Sequence, residues 1–150
     1  MQNILLNRNN RIWVKMNEQK ENPILFFDDY CTLCSGAVNF ILKKEKGSYY
    51  NFASFHSKKA KIILPEEFLT EPTASIVVFD NSRFYIQSEA TLQIARHLRF
   101  PWNTLLLFKI FPIKLRDTIY EWVARNRYNW FGKRKSCLLP DPKYKKRFME

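Results

Sequence analysis

The sequence predicts a single α/β domain, in which helices flank a mixed sheet and a helical extension follows at the C-terminal end. Its 150 residues are enough for one ordinary domain and too few for two. Its composition, 46% hydrophobic with only three glycines, is that of a globular protein. Apolar runs typical of strands alternate with segments whose apolar residues recur at helical spacing. Together these observations predict a folded α/β protein.

The N-terminal part is polar and rich in Asn, Lys and Glu, so we expect residues 1–22 to form a flexible leader before a domain over residues 23–150. The apolar run at residues 4–6 is too short for the hydrophobic region of a signal peptide. The most apolar later stretch, residues 102–113, is shorter than a bilayer span, which needs about 20 residues. We therefore expect a cytoplasmic protein without a membrane span, in which residues 102–113 form a core helix.

The first core strand is predicted at residues 24–27, a continuous apolar run bounded by Pro23 and Asp28. Such a run fits a strand that is buried on both faces. An amphipathic helix is predicted over residues 32–46, where apolar residues recur every three or four positions before Gly47. The two elements form the first strand–helix unit of the fold.

The following residues continue the alternation of strands and helices. We expect a second strand at residues 49–55 and a short helix that ends near Leu64. Residues 75–79 and 83–87 are β-type runs joined by a turn of hairpin length, so they should pair antiparallel. Ser88 is expected to cap the next helix.

Two more helical segments, around residues 102–111 and 114–131, form the C-terminal extension. The order of strand, helix, strand, helix, hairpin and helix is that of a thioredoxin-like core. Because a parallel strand–helix–strand crossover is right-handed, the loop after Phe27 lies at the carboxyl edge of the sheet. Sites of α/β proteins usually lie at this edge.

Cys31 and Cys34 lie at this strand-to-helix junction, at a spacing that one helical turn brings to disulfide distance. A helix N-terminus stabilises a thiolate and lowers its pKa. We expect Cys31, the more exposed residue, to be the nucleophile and Cys34 to resolve the mixed disulfide. The sequence thus favours a thiol-disulfide oxidoreductase that uses no cofactor. Its partners would be a disulfide-containing protein or a small-molecule thiol, with a thiol donor or acceptor of electrons.

Asp28 and Asp29 directly precede the thiols, and two carboxylates there would raise the pKa of Cys31 against the effect of the helix. The conflict is resolved if a carboxylate caps the helix or carries a proton to Cys34, while nearby arginines neutralise its charge. Both roles stay open.

A small zinc-stabilised adaptor is an alternative, because zinc sites use the same cysteine spacing. Only Cys137, His56 and His97 are available as further ligands of the usual kinds, so we expect no metal. A disulfide framework is not expected from three cysteines in a reducing compartment.

The basic C-terminal end suggests a second alternative. The formal net charge is +11, and from Arg125 onward nine Lys or Arg residues stand against two acidic ones. With Tyr128, Trp130 and Phe131 interleaved, this end could form a module that binds nucleic acid or another anionic surface. Nucleic acid is the less favoured partner.

At residues 24–28, leading into Cys31 and Cys34, the chain resembles the DCC family of predicted thiol-disulfide oxidoreductases, named for the Asp, Cys and Cys matched by Asp28 and the two thiols. The resemblance covers roughly residues 23–149 and implies a thioredoxin-like fold with redox activity. Further matches are Phe52-Ala53-Ser54, Ser88-Glu89-Ala90, Arg116-Asp117, residues 126–132, Cys137 and Pro140.

The resemblance also bears on residues outside the motif. Cys137 matches the family pattern and is either a third redox thiol or, as we favour, a structural cysteine. Arg127, Tyr128 and Trp130 either carry an anionic substrate or pair with the two aspartates. The chain departs from the family at Asp29, where Gly is common, and at His56, where Gln is expected. It also lacks the cis-proline that thioredoxins place before the third core strand, so substrate docking is expected to differ.

Overall fold

The computed structural model describes residues 4–7, 11–14, 22–70, 76–133, 135 and 141–149, with side chains from residue 22 onward. These residues form seven strands of one sheet, namely β1 (Ile4–Asn7), β2 (Arg11–Val14), β3 (Ile24–Phe27), β4 (Asn51–Ser54), β5 (Ile76–Asp80), β6 (Arg83–Ile86) and β7 (Phe148–Met149). The α-helices are α1 (Thr32–Lys44), α2 (Lys58–Ile63), α3 (Glu66–Thr70), α4 (Gln87–Arg96) and α5 (Ile113–Phe131). Two 3₁₀ helices span Trp102–Ile110 and Pro142–Arg147.

The centre of the sheet has the order β6-β5-β3-β4. β3 runs parallel to β4 and antiparallel to β5, and β5 pairs antiparallel with β6. Helix α1 makes the crossover between the two parallel strands, and α4 follows the hairpin. This is a thioredoxin-like arrangement with a C-terminal helical extension, so the predicted fold class is confirmed.

The two faces of β3 are covered by different helices, because successive side chains of a strand point to opposite sides. Leu25 and Phe27 lie in a core cluster with the buried residues of α1 and α4. Ile24 and Phe26 lie in a second cluster with buried residues of α2 and α3. Burial on both faces explains the uninterrupted apolar run of this strand.

Part of the predicted leader belongs to the sheet. β1 and β2 pair antiparallel, and β2 joins β6 where Trp13 lies opposite Arg83. β6 would otherwise present an unpaired backbone edge, and backbone pairing places little demand on side-chain composition. A polar segment can therefore supply a strand that its composition does not indicate.

Two helices differ from the prediction. Ser88 does not cap α4, because the helix begins one residue earlier with Ile86 as N-cap. Instead, Asp117 of α5 accepts hydrogen bonds from the hydroxyl and the backbone N–H of Ser88. The short helix α3 was not predicted from the sequence.

The segment predicted as a core helix is a 3₁₀ helix in which no residue is fully buried. Its apolar side chains point in all directions, so its packing against α4 leaves many of them exposed. The prediction of a core helix was therefore wrong. The apolar content of a segment does not show how much of its surface is buried by neighbouring elements. Among the described residues, no helix is both long and apolar enough to cross a bilayer.

Candidate active site

Cys31 and Cys34 lie where β3 passes into α1. Cys31 is the N-cap residue of the helix, and its Sγ accepts a hydrogen bond from the backbone N–H of Cys34 at 3.4 Å. Both residues are buried and carry free thiols. Cys31 has 0% of its surface exposed, so the expectation that it is the more accessible thiol was wrong.

The two thiols have opposite pKa shifts. The pKa of Cys31 is lowered from 9.0 to about 6, mainly by the hydrogen bond with the Cys34 thiol, against the opposing effect of burial. The Cys34 backbone N–H and the positive charge of Arg127 lower the pKa further, whereas Asp28 raises it. The pKa of Cys34 is raised by its hydrogen bond with Cys31 and by burial. One sulfur is thus a thiolate near neutral pH while the other keeps its proton.

The Asp28 carboxylate is held by side chains from α5. Its Oδ2 accepts hydrogen bonds from Nη2 of Arg127, at 3.3 Å, and from the hydroxyl of Tyr128. Its Oδ1 accepts the backbone N–H of Tyr30 at 3.0 Å. Pairing of Arg127 and Tyr128 with Asp28 is one of the two arrangements that the sequence suggested. Asp28 does not cap α1, because Cys31 occupies the N-cap position.

Asp29 makes a different set of contacts. Its Oδ1 lies 2.7 Å from Oγ of Ser54 and 2.8 Å from Nδ1 of His56, whose side chain is 57% exposed. The parallel register that places Ser54 opposite Phe27 brings the end of β4 beside the loop after β3. Sequence reasoning missed this cluster, although the Phe52-Ala53-Ser54 match pointed to the end of β4.

The described residues do not assemble the zinc ligands considered from the sequence. Within them, the group of three or more potential metal ligands is Asp28, Asp29 and His56, which contains neither cysteine. The ring of His97 stacks on Tyr49 with 3.7 Å between centroids, just before β4 begins and thus toward the opposite edge of the sheet from the thiols. Cys137 lies outside the described residues.

The C-terminal end of α5 lies over the thiol pair. Tyr128 packs against the core cluster that contains both cysteines, and the backbone of Lys133 forms an antiparallel bridge with that of Cys31. Gly132 makes this return possible, because it ends α5 with a φ of +76°, which favours glycine. The cover explains why Cys31 has no exposed surface. Trp130 is not part of it, since its ring is half exposed and packs against Trp122.

Arg127 has spare hydrogen-bonding capacity in this site. Its side chain is buried, and its guanidinium carbon lies 4.8 Å from the ring centroid of Tyr128. Among the described residues, its Nε and Nη1 find no hydrogen-bond acceptor. The residue thus adds a positive charge to the site, which favours the ionised form of the neighbouring thiols.

Comparison with known proteins gives a match to a family model described as DCC1-like thiol-disulfide oxidoreductase, over residues 25–133. The uncharacterized protein YuxK of Bacillus subtilis is 40% identical over 134 residues, which cover 89% of this chain and 98% of that protein. A DCC family protein of Arabidopsis thaliana, named as chloroplastic, is 36% identical over 133 residues, 85% of this chain and 77% of that protein. No solved structure matches the chain at a significant level.

Proposed function

Because this chain belongs to the DCC1-like thiol-disulfide oxidoreductase family, we propose that it exchanges disulfides with Cys31 as nucleophile and Cys34 as resolving thiol. The opposite pKa shifts of the two thiols carry this assignment. The thiolate is the attacking form in exchange, and an attacking thiol works best when its pKa lies near the ambient pH. Cys31 meets both conditions, whereas Cys34 keeps its proton until it is needed.

In the reducing direction, the Cys31 thiolate attacks one sulfur of a substrate disulfide. The substrate S–S bond breaks, a mixed disulfide forms, and one substrate thiolate leaves and takes up a proton. Cys34 then loses its proton and attacks Sγ of Cys31, which releases the second substrate thiolate. Two electrons pass to the substrate and a Cys31–Cys34 disulfide remains. An external thiol returns the pair to the reduced state, and the oxidising direction is the reverse.

Asp28 is our candidate acceptor for the proton of Cys34. Its negative charge raises the pKa of both thiols, so the carboxylate acts on the pair electrostatically. Arg127 and Tyr128 hold the carboxylate and offset part of its charge. We assign them positioning roles, and Asp29 a structural role at the end of β4.

Substrate access requires the cover over Cys31 to move. The sulfur lies beneath the bridge to Lys133 and beside Tyr128, so a substrate disulfide cannot meet it in the closed arrangement. We propose that the bridge between Lys133 and Cys31 opens to admit a disulfide-containing protein or a small-molecule thiol. The position that holds the cis-proline of thioredoxins lies outside the described residues, so the expected difference in docking stays a prediction.

The test is a redox titration of metal-free protein in glutathione buffers, with each cysteine alkylated and read separately by mass spectrometry. The expected result is that Cys31 and Cys34 oxidise together at one defined potential. The Cys34→Ser variant should trap a mixed glutathione disulfide on Cys31, and Cys31→Ser should trap none on Cys34. Failure of the pair to convert together, or trapping on Cys34 instead, contradicts the mechanism. Zinc retained in stoichiometric amount would instead favour the adaptor.

A cytoplasmic location stays a prediction, and the relative from Arabidopsis thaliana is named as chloroplastic. The nucleic-acid alternative rests on the basic C-terminal end, where Lys143, Lys145 and Lys146 are exposed. Arg147 is already engaged, because it pairs with the buried carboxylate of Glu45 and donates to the backbone carbonyl of Tyr50. Nucleic-acid binding that requires the basic C-terminal end and is unchanged when both cysteines are replaced would support that alternative.

A further inference from the structure

Large apolar side chains stand exposed along residues 100–115, which include the 3₁₀ helix after α4 and the start of α5. We call it the apolar ridge, and each of its side chains exposes at least 46% of its surface, reaching 82% at Ile110. Among the described residues, Ile62 is the one exposed large apolar side chain outside residues 100–131. The ridge consists of Phe100, Leu107, Phe108, Ile110, Phe111, Ile113 and Leu115.

These seven exposed side chains fall within sixteen residues. Such a concentration is typical of an interaction site, whereas isolated apolar side chains on a surface need no explanation. The exposed side chains belong to two successive helical segments and the residues that flank them. The thiol pair makes no use of it, so the proposed redox function does not account for it.

The charges around the ridge point to the chemistry of its partner. Lys109 and Lys114 lie within it, and the sequence contains no acidic residue between Glu89 and Asp117. The ridge therefore offers apolar and positively charged groups together. This is the composition of segments that lie in the interface of an anionic bilayer, with apolar side chains at the acyl boundary and lysines at the head groups.

Lys109 also lines a cavity of about 200 Å³ whose charges favour an anion. Four cationic residues line it against a single acidic one, Glu89. At its wall, Nε and Nη1 of Arg116 are buried and find no hydrogen-bond partner among the described residues. A phosphate oxygen satisfies such donors. The four cationic residues are Arg83, Arg96, Lys109 and Arg116.

From these observations we propose that the apolar ridge docks on an anionic phospholipid bilayer, with lipid phosphates at Lys109, Lys114 and the cationic cavity. The protein would lie on the membrane surface without crossing it. A second copy of the chain fits the ridge less well, because it would bring the same lysines into the interface and leave their charges without counter-charges. A phosphatidylglycerol surface supplies both the apolar layer and the negative charge.

The test is co-sedimentation of the full, reduced chain with vesicles. One set contains phosphatidylcholine alone and the other contains phosphatidylcholine mixed with phosphatidylglycerol. Binding is expected to the anionic vesicles, with little to the neutral ones and with a steep decrease as salt is added. Lys109→Gln combined with Lys114→Gln should weaken binding about twenty-five-fold, since each basic residue near the surface contributes about fivefold.

Variants of the ridge itself separate membrane docking from simple charge attraction. Leu107→Ser combined with Ile110→Ser should weaken binding at least about tenfold, because two aliphatic side chains no longer enter the bilayer. Ile62→Ser, which also removes an exposed apolar side chain, is the matched control and should bind normally. Circular dichroism checks that all variants are folded. Cys31→Ser should also bind the vesicles normally, because the apolar ridge does not include the thiols. Vesicle binding and disulfide exchange are therefore tested independently.

Three results would overturn the inference. The first is equal binding to neutral and anionic vesicles, and the second is unchanged binding after both ridge substitutions. The third is the absence of vesicle binding together with self-association, measured by sedimentation velocity, that Leu107→Ser with Ile110→Ser abolishes. That last result would identify the ridge as an interface between copies of this chain.

Discussion

At Asp28, a single carboxylate meets donors from two distant parts of the chain. The backbone N–H of Tyr30 comes from the adjacent turn, and the Arg127 guanidinium and the Tyr128 hydroxyl come from α5. Local sequence was enough to place Asp28 and the cysteines together, because they share one strand-to-helix junction. The sequence named Arg127 and Tyr128 as possible partners of the aspartates but left the pairing open, since no local pattern links positions about a hundred residues apart.

The Asp28–Arg127 pair predicts opposite effects of two substitutions on one titration. Asp28→Asn should lower the pKa of Cys31 below about 6, because Asp28 raises it, and Arg127→Gln should raise that pKa, because Arg127 lowers it. The measurement is the ultraviolet absorbance of the thiolate against pH in reduced Cys137→Ser protein. Cys34 contributes little there, since its pKa is raised.

Both substitutions break the same buried ion pair, so each should also destabilise the fold by about 3–5 kcal/mol. If the substitutions acted only by destabilising the site, they would shift the pKa of Cys31 in the same direction. Shifts of the same sign would show that the charges do not control the thiolate in the way described.

The helices and strands differ in how far local sequence determines them. β3 and α1 follow from an apolar run and a helical periodicity, and the structure places both within two residues of the predicted bounds. The prediction placed the Trp102–Ile110 helix in the core, because an apolar sequence does not show that only one face of the helix packs against another element. The turn at Gly132 was not predicted at all, although it is what returns the chain to Cys31.

Gly132→Ala should open this cover. Among the described residues, a Cβ at Gly132 meets no neighbouring atom, so its cost is the strained backbone at φ +76° and ψ 169°, about 1–3 kcal/mol. The backbone bridge between Lys133 and Cys31 should loosen, and iodoacetamide should alkylate Cys31 faster at neutral pH. The rate is measured by mass spectrometry of the Cys31 peptide.

Gly47→Ala is the matched control for that variant. Gly47 also has a positive φ, +70°, and open space around its Cα, but it lies at the far end of α1 from the thiols. It should lose similar stability without a change in the alkylation of Cys31. If both variants accelerate alkylation equally, access depends on overall stability and the cover has no specific role.

At the scale of the whole molecule, the core was predictable because its topology follows from the order of the elements. The strand order β6-β5-β3-β4 is that of the predicted thioredoxin-like core. The outer strands β1, β2 and β7 were not predicted. Short edge strands form by backbone hydrogen bonds to an unpaired sheet edge, so their side chains carry little sequence signal. Asp29, Ser54 and His56 were missed for a related reason, because their meeting depends on the register between β3 and β4.

Global stability should depend on pH through Cys31. Its pKa is about 6 in the folded chain and near the ordinary 9.0 when unfolded. A lowered pKa stabilises the fold fully above the unfolded value, and this contribution is lost as the pH falls through the folded value. The free energy of unfolding of reduced wild type relative to Cys31→Ser, from urea titrations, should therefore increase from about pH 6 to about pH 9. A constant difference across this range would mean that Cys31 is not ionised in the native protein.

The burial of Cys31 has a consequence for the lifetime of the protein under oxidative stress. A thiolate with a pKa near 6 is the form that peroxide converts to sulfenic acid and then, irreversibly, to sulfinic acid. Because the sulfur is enclosed and Cys34 lies beside it, we expect a sulfenic acid on Cys31 to react with Cys34 before a second oxidant molecule reaches it. If the pair exchanges disulfides as proposed, we expect the cover to let Cys31 pass through repeated oxidation without irreversible damage.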